Sequence, residues 1–201
     1  MSPNMFPTFD LTPLLTAYQE PQRQYHNMVH IRTMLDFVRD YNLTITSMQL
    51  ASIWYHDFVY DPKAADNEEL SAIAAGIALT TEGWDVTSIG VVQQIIRDTQ
   101  NHLPNHEQSK LVIDLDLAGL GDSSSIYFAK GALIRKEYQH LTDAEWNAGR
   151  LKFIEKFLSR PQIFQTNWGL THFERGARSN LTEERNRLQE VTGSDNFWVN
   201  G

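Results

Sequence analysis

In HIRTMLDFVRDY, residues 30–41, Ile31, Leu35 and Val38 fall on one stripe, with Met34 and Phe37 beside them. That spacing is helical, and it recurs along most of the chain, while the alternation expected of half-buried strands is scarce. TSMQLASIWYHDFVY opens on capping-type residues and sets Leu50, Ile53 and Trp54 together. DNEELSAIAAGIALT begins with Asp66, Asn67 and two acids, which suit a helix start. DVTSIGVVQQIIRDTQ carries Val91, Val92, Ile95 and Ile96; its β-branched run permits a strand, but the spacing fits a helix better. NHLPNHEQ reads as a loop around Pro104, and LVIDLDLAGLG as a short helix or turn closed by Gly119 and Gly121. SSSIYFAKGALIRKEYQHL and TDAEWNAGRLKFIEKFLSR follow, the second stopped by Pro161, and one last helix is expected over NWGLTHFERGARSNLTEERNRLQEV. Connections of a few residues, with no repeat and no linker, predict one all-α domain over residues 1–201.

Composition narrows the function. The 201 residues are 41% hydrophobic and 21% charged, enough for a packed core. The chain has no cysteine, which removes disulfides, thiolate metal sites and a cysteine nucleophile. A net charge of −8 argues against a broad basic face for nucleic acid. No apolar run reaches the roughly 18 residues of a membrane span. The stretch MSPNMFPTFD shows no secretory signal, so a cytoplasmic protein without a membrane partner is expected.

Chemistry-bearing residues interrupt the apolar pattern. His26 and His30 are four apart and share a face if a helix begins near Tyr25. Asn27 follows His26, so the general-base glutamate of H-E-x-x-H is missing. His56 and Asp57 lie between Ile53, Trp54 and Tyr55 on one side and Phe58, Val59 and Tyr60 on the other. An aspartate in such surroundings needs a partner, which a metal, a His–Asp hydrogen bond or a helix cap would each supply. Asp114 and Asp116 alternate with apolar residues and raise the same question.

The ordered set His30, His56–Asp57 and an aspartate near 116 resembles the HD-domain superfamily of metal-dependent phosphohydrolases. The likeness is strongest to a small bacterial group of predicted HD phosphohydrolases. It runs from about residue 20 to 190, through YHNMVHI, WYHDFVYDP, DNEELSA, DLDLAGLG, IRKEY and ERGARSNL. The resemblance implies a helical bundle with the metal site between central helices. It implies His30, His56, Asp57 and Asp116 as ligands, with Asp114 the alternative to Asp116. YHNMVH is also similar to a segment of cyclic-nucleotide phosphodiesterases, which implies His26 as the acid protonating a leaving group or as a phosphate contact. The spacing from His30 to His56 is shorter than in those enzymes, so a cyclic-nucleotide substrate is not implied.

Two imidazoles and two carboxylates suit a divalent ion such as Mg, Mn, Co, Ni, Zn or Fe. The expected reaction is hydrolysis of a phosphoester or phosphoanhydride, in a small nucleotide-like substrate, by attack of metal-bound water. Asp57 could bridge a second ion, and His102 is a candidate ligand for it; His106 is weaker, and an exposed loop explains either histidine. Glu68 is a candidate for orienting water, although capping explains Asn67 and Glu68 equally. Arg135, Arg150 and Arg178 could anchor phosphate or form internal ion pairs with Glu137 or Glu174. Asp61 before Pro62 reads as turn chemistry, and Trp54, Tyr55, Phe153 and Phe157 as core. Two other functions are expected alternatives: an HD-fold di-iron oxygenase, or a metal- or nucleotide-binding module without turnover.

Overall fold

A computed structural model describes residues 9–195. Residues 1–8, the larger part of the stretch read for a secretory signal, lie outside the described residues. Every regular element among the described residues is helical, as the periodicity predicts. None of these helices is long and apolar enough to cross a membrane. The chain divides into two compact units, the first ending at Asp116 and the second beginning at Leu117.

The first unit opens with a short helix, α1 (Thr12–Ala17), which the periodicity did not announce. Helix α2 (Met28–Asp40) starts where the Asn27 side chain accepts a hydrogen bond from the Val29 amide. Its inward face is His30, Ile31, Met34 and Val38, so His30 occupies a core position of the amphipathic pattern. Helix α3 (Ser47–Tyr55) begins with a reciprocal cap between Thr46 and Gln49 and is buried on almost every side. Helices α4 (Asn67–Thr81) and α5 (Val86–Asn101) pack on each other and on α3. Asp85 caps α5 by accepting from the Thr87 and Ser88 amides. Helix α6 (Ser109–Leu117) carries Asp116.

The second unit holds a 3₁₀ turn (Ala118–Gly121) and helices α7 (Ser124–Glu137), α8 (Asp143–Leu158), α9 (Asn167–His172) and α10 (Glu174–Asp195). Within it the largely buried side chain of Arg150 donates to Glu184 at 2.8 and 3.0 Å and to the Tyr127 hydroxyl at 3.0 Å.

Three local expectations are corrected. Helix α3 stops at Tyr55, so His56 is its C-cap and Asp57 lies beyond it. The single final helix is two, broken at Phe173, where the backbone leaves helical geometry. Gly119 and Gly121 do not close α6 through a left-handed turn; Gly83 is the glycine with positive φ among the described residues. Gly121 is instead needed for close approach. A Cβ there would meet the Phe173 backbone at 2.8 Å, and a Cβ on Gly176 would meet the Gly121 oxygen at 2.6 Å.

Candidate metal centre

The first unit gathers side chains from four places. His30 comes from the buried face of α2, and His56 and Asp57 from the chain just past α3. His102 caps α5, and Asp116 sits at the end of α6. His30 Nε2 lies 3.3 Å from His56 Nε2 and 3.1 Å from Asp116 Oδ1. His56 Nε2 is 3.7 Å from the same Asp116 oxygen. Two ligands about 2.1 Å from one ion stand roughly 3.0 Å apart at right angles and roughly 3.4 Å apart at the tetrahedral angle. The three atoms therefore have the spacing of donors that share an ion, and this group could hold one.

Asp57 adjoins the histidine edge of this trio. Its Oδ2 is 3.1 Å from His56 Nε2 and 3.9 Å from His30 Nε2. That oxygen is buried and has no partner in hydrogen-bond geometry. A buried carboxylate oxygen without a donor is costly, and a cation would remove that cost. The donor set thus fits a divalent ion on two counts, the spacing of the trio and the unsatisfied oxygen beside it.

The local chain explains these positions. His56 Nδ1 lies 3.0 Å from the Ile53 carbonyl, which as acceptor keeps a proton on Nδ1, so that in the neutral imidazole the Nε2 lone pair faces the cluster. Burial alone would lower the His56 imidazole, but the charges of Asp57 and Asp116 outweigh it and push it up to about 9. Burial likewise opposes ionisation of Asp57, yet His56, then His26 and His30, hold its carboxyl well below the usual range. Asp116 is held down in the same way, against burial, chiefly by its contacts with His102 and His30.

The remaining candidates separate clearly. His26 is not on a helix: α2 begins at Met28, because Asn27 caps it and also ties the preceding turn by donating to the Arg23 and Gln24 carbonyls. The four-residue helical spacing of His26 and His30 is thereby corrected. Their rings still lie 6.1 Å apart, and His26 stacks on Tyr60 at 4.5 Å. His102 adopts the left-handed conformation, φ 52° and ψ 46°, and its Nε2 lies 3.1 Å from Asp116 Oδ2. The two oxygens of Asp116 therefore face different histidines.

Glu68 is half-buried in the first turn of α4. Burial raises its carboxyl, and the charges of Asp57 and Asp116 add to this, against its own amide and His102. His106 accepts from the Gln108 amide through Nδ1. Asn67 joins Asp61 through two hydrogen bonds, Asp61 N–H to Oδ1 and Nδ2 to the Asp61 carbonyl, which makes Asp61 part of a turn. Asp116, not Asp114, belongs to the trio.

Arg135 and Arg178 belong to the second unit. Arg135 donates to Asp143 and to the Tyr138 and Leu141 carbonyls. Arg178 donates to Glu174 and to the Arg160 and Pro161 carbonyls. Trp54, Tyr55 and Phe157 are buried.

Sequence reasoning missed two buried charged residues. Asp98 lies on the inward side of α5 among Ile95, Ile96 and Thr99; a charge on that face was the available signal. It accepts from Gln94, Ser109, the Asn105 side chain and the Asn105 and His106 amides, and so fastens the segment after His102. Arg23 lies ahead of α2 with 4% of its surface exposed. Nothing in its flanking residues marked it.

Comparison with protein-family models, curated proteins and solved structures finds no match to this chain.

Proposed function

We propose that this chain is a divalent-metal-dependent phosphohydrolase of the HD type, acting on a phosphoester or phosphoanhydride of a small nucleotide-like molecule. The observation that carries the proposal is the convergence of His30 Nε2, His56 Nε2 and Asp116 Oδ1, at 3.1–3.7 Å, from segments far apart in sequence. The order and residue types of those segments support the HD resemblance; the orphaned oxygen of Asp57 supports a cation among them.

His30, His56 and Asp116 would hold the ion, with Asp57 beside it. When bound, a divalent ion polarises phosphoryl oxygens and acidifies water. The chain's own groups supply the proton chemistry. His26, half-buried and stacked on Tyr60, would give a proton to a leaving oxygen. Glu68, with its raised carboxyl, would hold or accept one. Asp116, bonded on its second oxygen to His102, is fixed in orientation.

The His102–Asp116 contact also favours a second reading, in which His102 ligates a second ion. That arrangement is shared by two-metal hydrolases and a di-iron oxygenase. The deciding experiment measures phosphate release without oxygen, over nucleotides and sugar phosphates, with magnesium, manganese, cobalt, nickel, zinc and iron(II). Release with at least one metal is expected. Oxygen consumption by the iron form without any phosphate release would establish the oxygenase. Metal binding with neither activity would leave a binding module.

A further inference from the structure

We infer that Arg23 is a positioning residue that sets the two halves of the metal centre against each other. Its side chain is fully buried, and its donors reach both halves. Nη1 donates to the His26 carbonyl at 3.2 Å and to the Asp57 carbonyl at 2.6 Å. Nη2 donates to the Phe58 carbonyl at 2.8 Å, and Nε to Glu20 Oε2 at 3.0 Å. The guanidinium also lies over the rings of Tyr18 and Tyr60, at 5.1 and 5.3 Å.

These contacts explain how a short segment outside any helix holds its place. Helix α3 has ended at Tyr55, so the Asp57 and Phe58 carbonyls have no helical amide to bond. The His26 carbonyl precedes α2 and is in the same position. Buried main-chain oxygens need donors, and one planar fork supplies all three. Fixing the Asp57 carbonyl fixes the peptide from which the Asp57 side chain leaves. Fixing the His26 carbonyl sets the turn that aims His26 and starts the helix bearing His30. Tyr60 joins the two, since it meets the guanidinium and the His26 ring.

Four of the five N–H groups are thereby spent on the protein, so Arg23 is not a phosphate anchor. A lysine would keep the charge and lose the fork.

The inference rests on the metal-centre reading but not on the reaction proposed for it. The test is titration of the full chain with manganese(II) and with zinc(II), without substrate, for the wild type, Arg23→Lys, Arg23→Met and Arg23→Ala. The Tyr127→Phe substitution in the second unit serves as a control for general loosening. With helical circular dichroism retained, dissociation constants should rise about 10- to 100-fold in Arg23→Lys and at least as much in Arg23→Met, as when partners that orient ligands are lost. Methylguanidinium should restore part of the affinity of Arg23→Ala, and Tyr127→Phe should bind as the wild type does. If Arg23→Met does not fold, Arg23→Lys, which keeps charge and stem, carries the test.

Unchanged affinity in the folded Arg23 variants, with unchanged ring signals of His30 and His56 in the metal-free NMR spectrum, would overturn the inference. If the wild type itself binds neither ion, the metal-centre reading fails. The ring signals then decide alone: displaced in Arg23→Lys, they support positioning; undisplaced, they refute it.

Discussion

His56 and Asp57 are consecutive in the chain, yet His56 Nε2 and Asp57 Oδ2 lie 3.1 Å apart. Inside a helix neighbouring side chains diverge by about 100°. Here α3 has ended one residue earlier, and the bend beyond it lets both side chains turn to one point. The metal-free pair therefore binds a proton tightly, since His56 is pushed up to about 9 by the charges that overcome its burial.

Proton and metal should compete for this pair. The folded value lies above the ordinary 6.5, so the protonated pair stabilises the metal-free fold fully below about pH 6.5. That contribution is lost as the pH rises through about 9. An ion needs the neutral imidazole, so binding at pH 7 should release about one proton from His56. Metal affinity should rise about tenfold per pH unit between pH 6.5 and 9. Calorimetric titration in buffers of different ionisation enthalpy measures the protons released. A buffer-independent heat would show that His56 is already neutral.

The candidate ligands and the candidate acid should separate by role. His30→Ala, His56→Ala and Asp57→Ala are expected to lose stoichiometric metal and keep their helical signal. His26→Ala should keep the metal and lose about 100- to 10,000-fold in rate, with a smaller loss for substrates with good leaving groups. Elemental analysis of each purified variant, followed by rates on paired leaving groups, makes the separation. Undiminished metal in folded Asp57→Ala would remove that residue from the site.

The residues that hold the centre were only partly legible. Helical spacing was readable because each stripe reports its own burial, and His30 lies within such a stripe as an inward position of α2. His56–Asp57 stood out because charge amid aromatic and branched residues needs compensation. The end of α3 at Tyr55 was hidden, since the apolar run continues through Tyr60 and carries no glycine or proline to mark a stop. Asn27 read as a lost glutamate, whereas its work is to cap α2, and that moved His26 off the helix. Arg23 was invisible because three of its four hydrogen-bond partners are main-chain oxygens, which leave no trace in residue type.

The left-handed backbone of His102 gives a third expectation. A residue with a Cβ in that conformation costs roughly 1 kcal/mol relative to glycine. His102→Gly should therefore be about 1 kcal/mol more stable than His102→Ala in urea unfolding. Both variants lose the contact on Asp116 Oδ2 and should bind the first ion more weakly without losing it. If a second ion is present in the wild type, both should lose that one altogether.

Asp98 should couple the fold to acid. Its buried carboxylate accepts from the Asn105 amide at 2.8 Å and from Ser109 Oγ at 2.6 Å; Asn105 lies in the segment joining α5 to α6, and Ser109 opens α6. Burial alone would raise this carboxyl, but the hydrogen bonds from Ser109 and Asn105 outweigh it and hold it below the ordinary value. A depressed folded value means the stabilisation is complete above about pH 4 and is lost as the pH falls through the folded value. Asp98→Ala leaves these donors without their acceptor, at about 1–3 kcal/mol for each that stays buried, so a loss of about 2–4 kcal/mol is expected. Asp98→Asn keeps the shape and loses the charge, so it should be destabilised at pH 7 and show a flatter stability profile below pH 4. Urea unfolding from pH 2.5 to 7 measures both. Because the segment begins beside His102, the same variants should also displace the His102 ring signals, whereas an Asp98 acting only on its own helix would leave them in place.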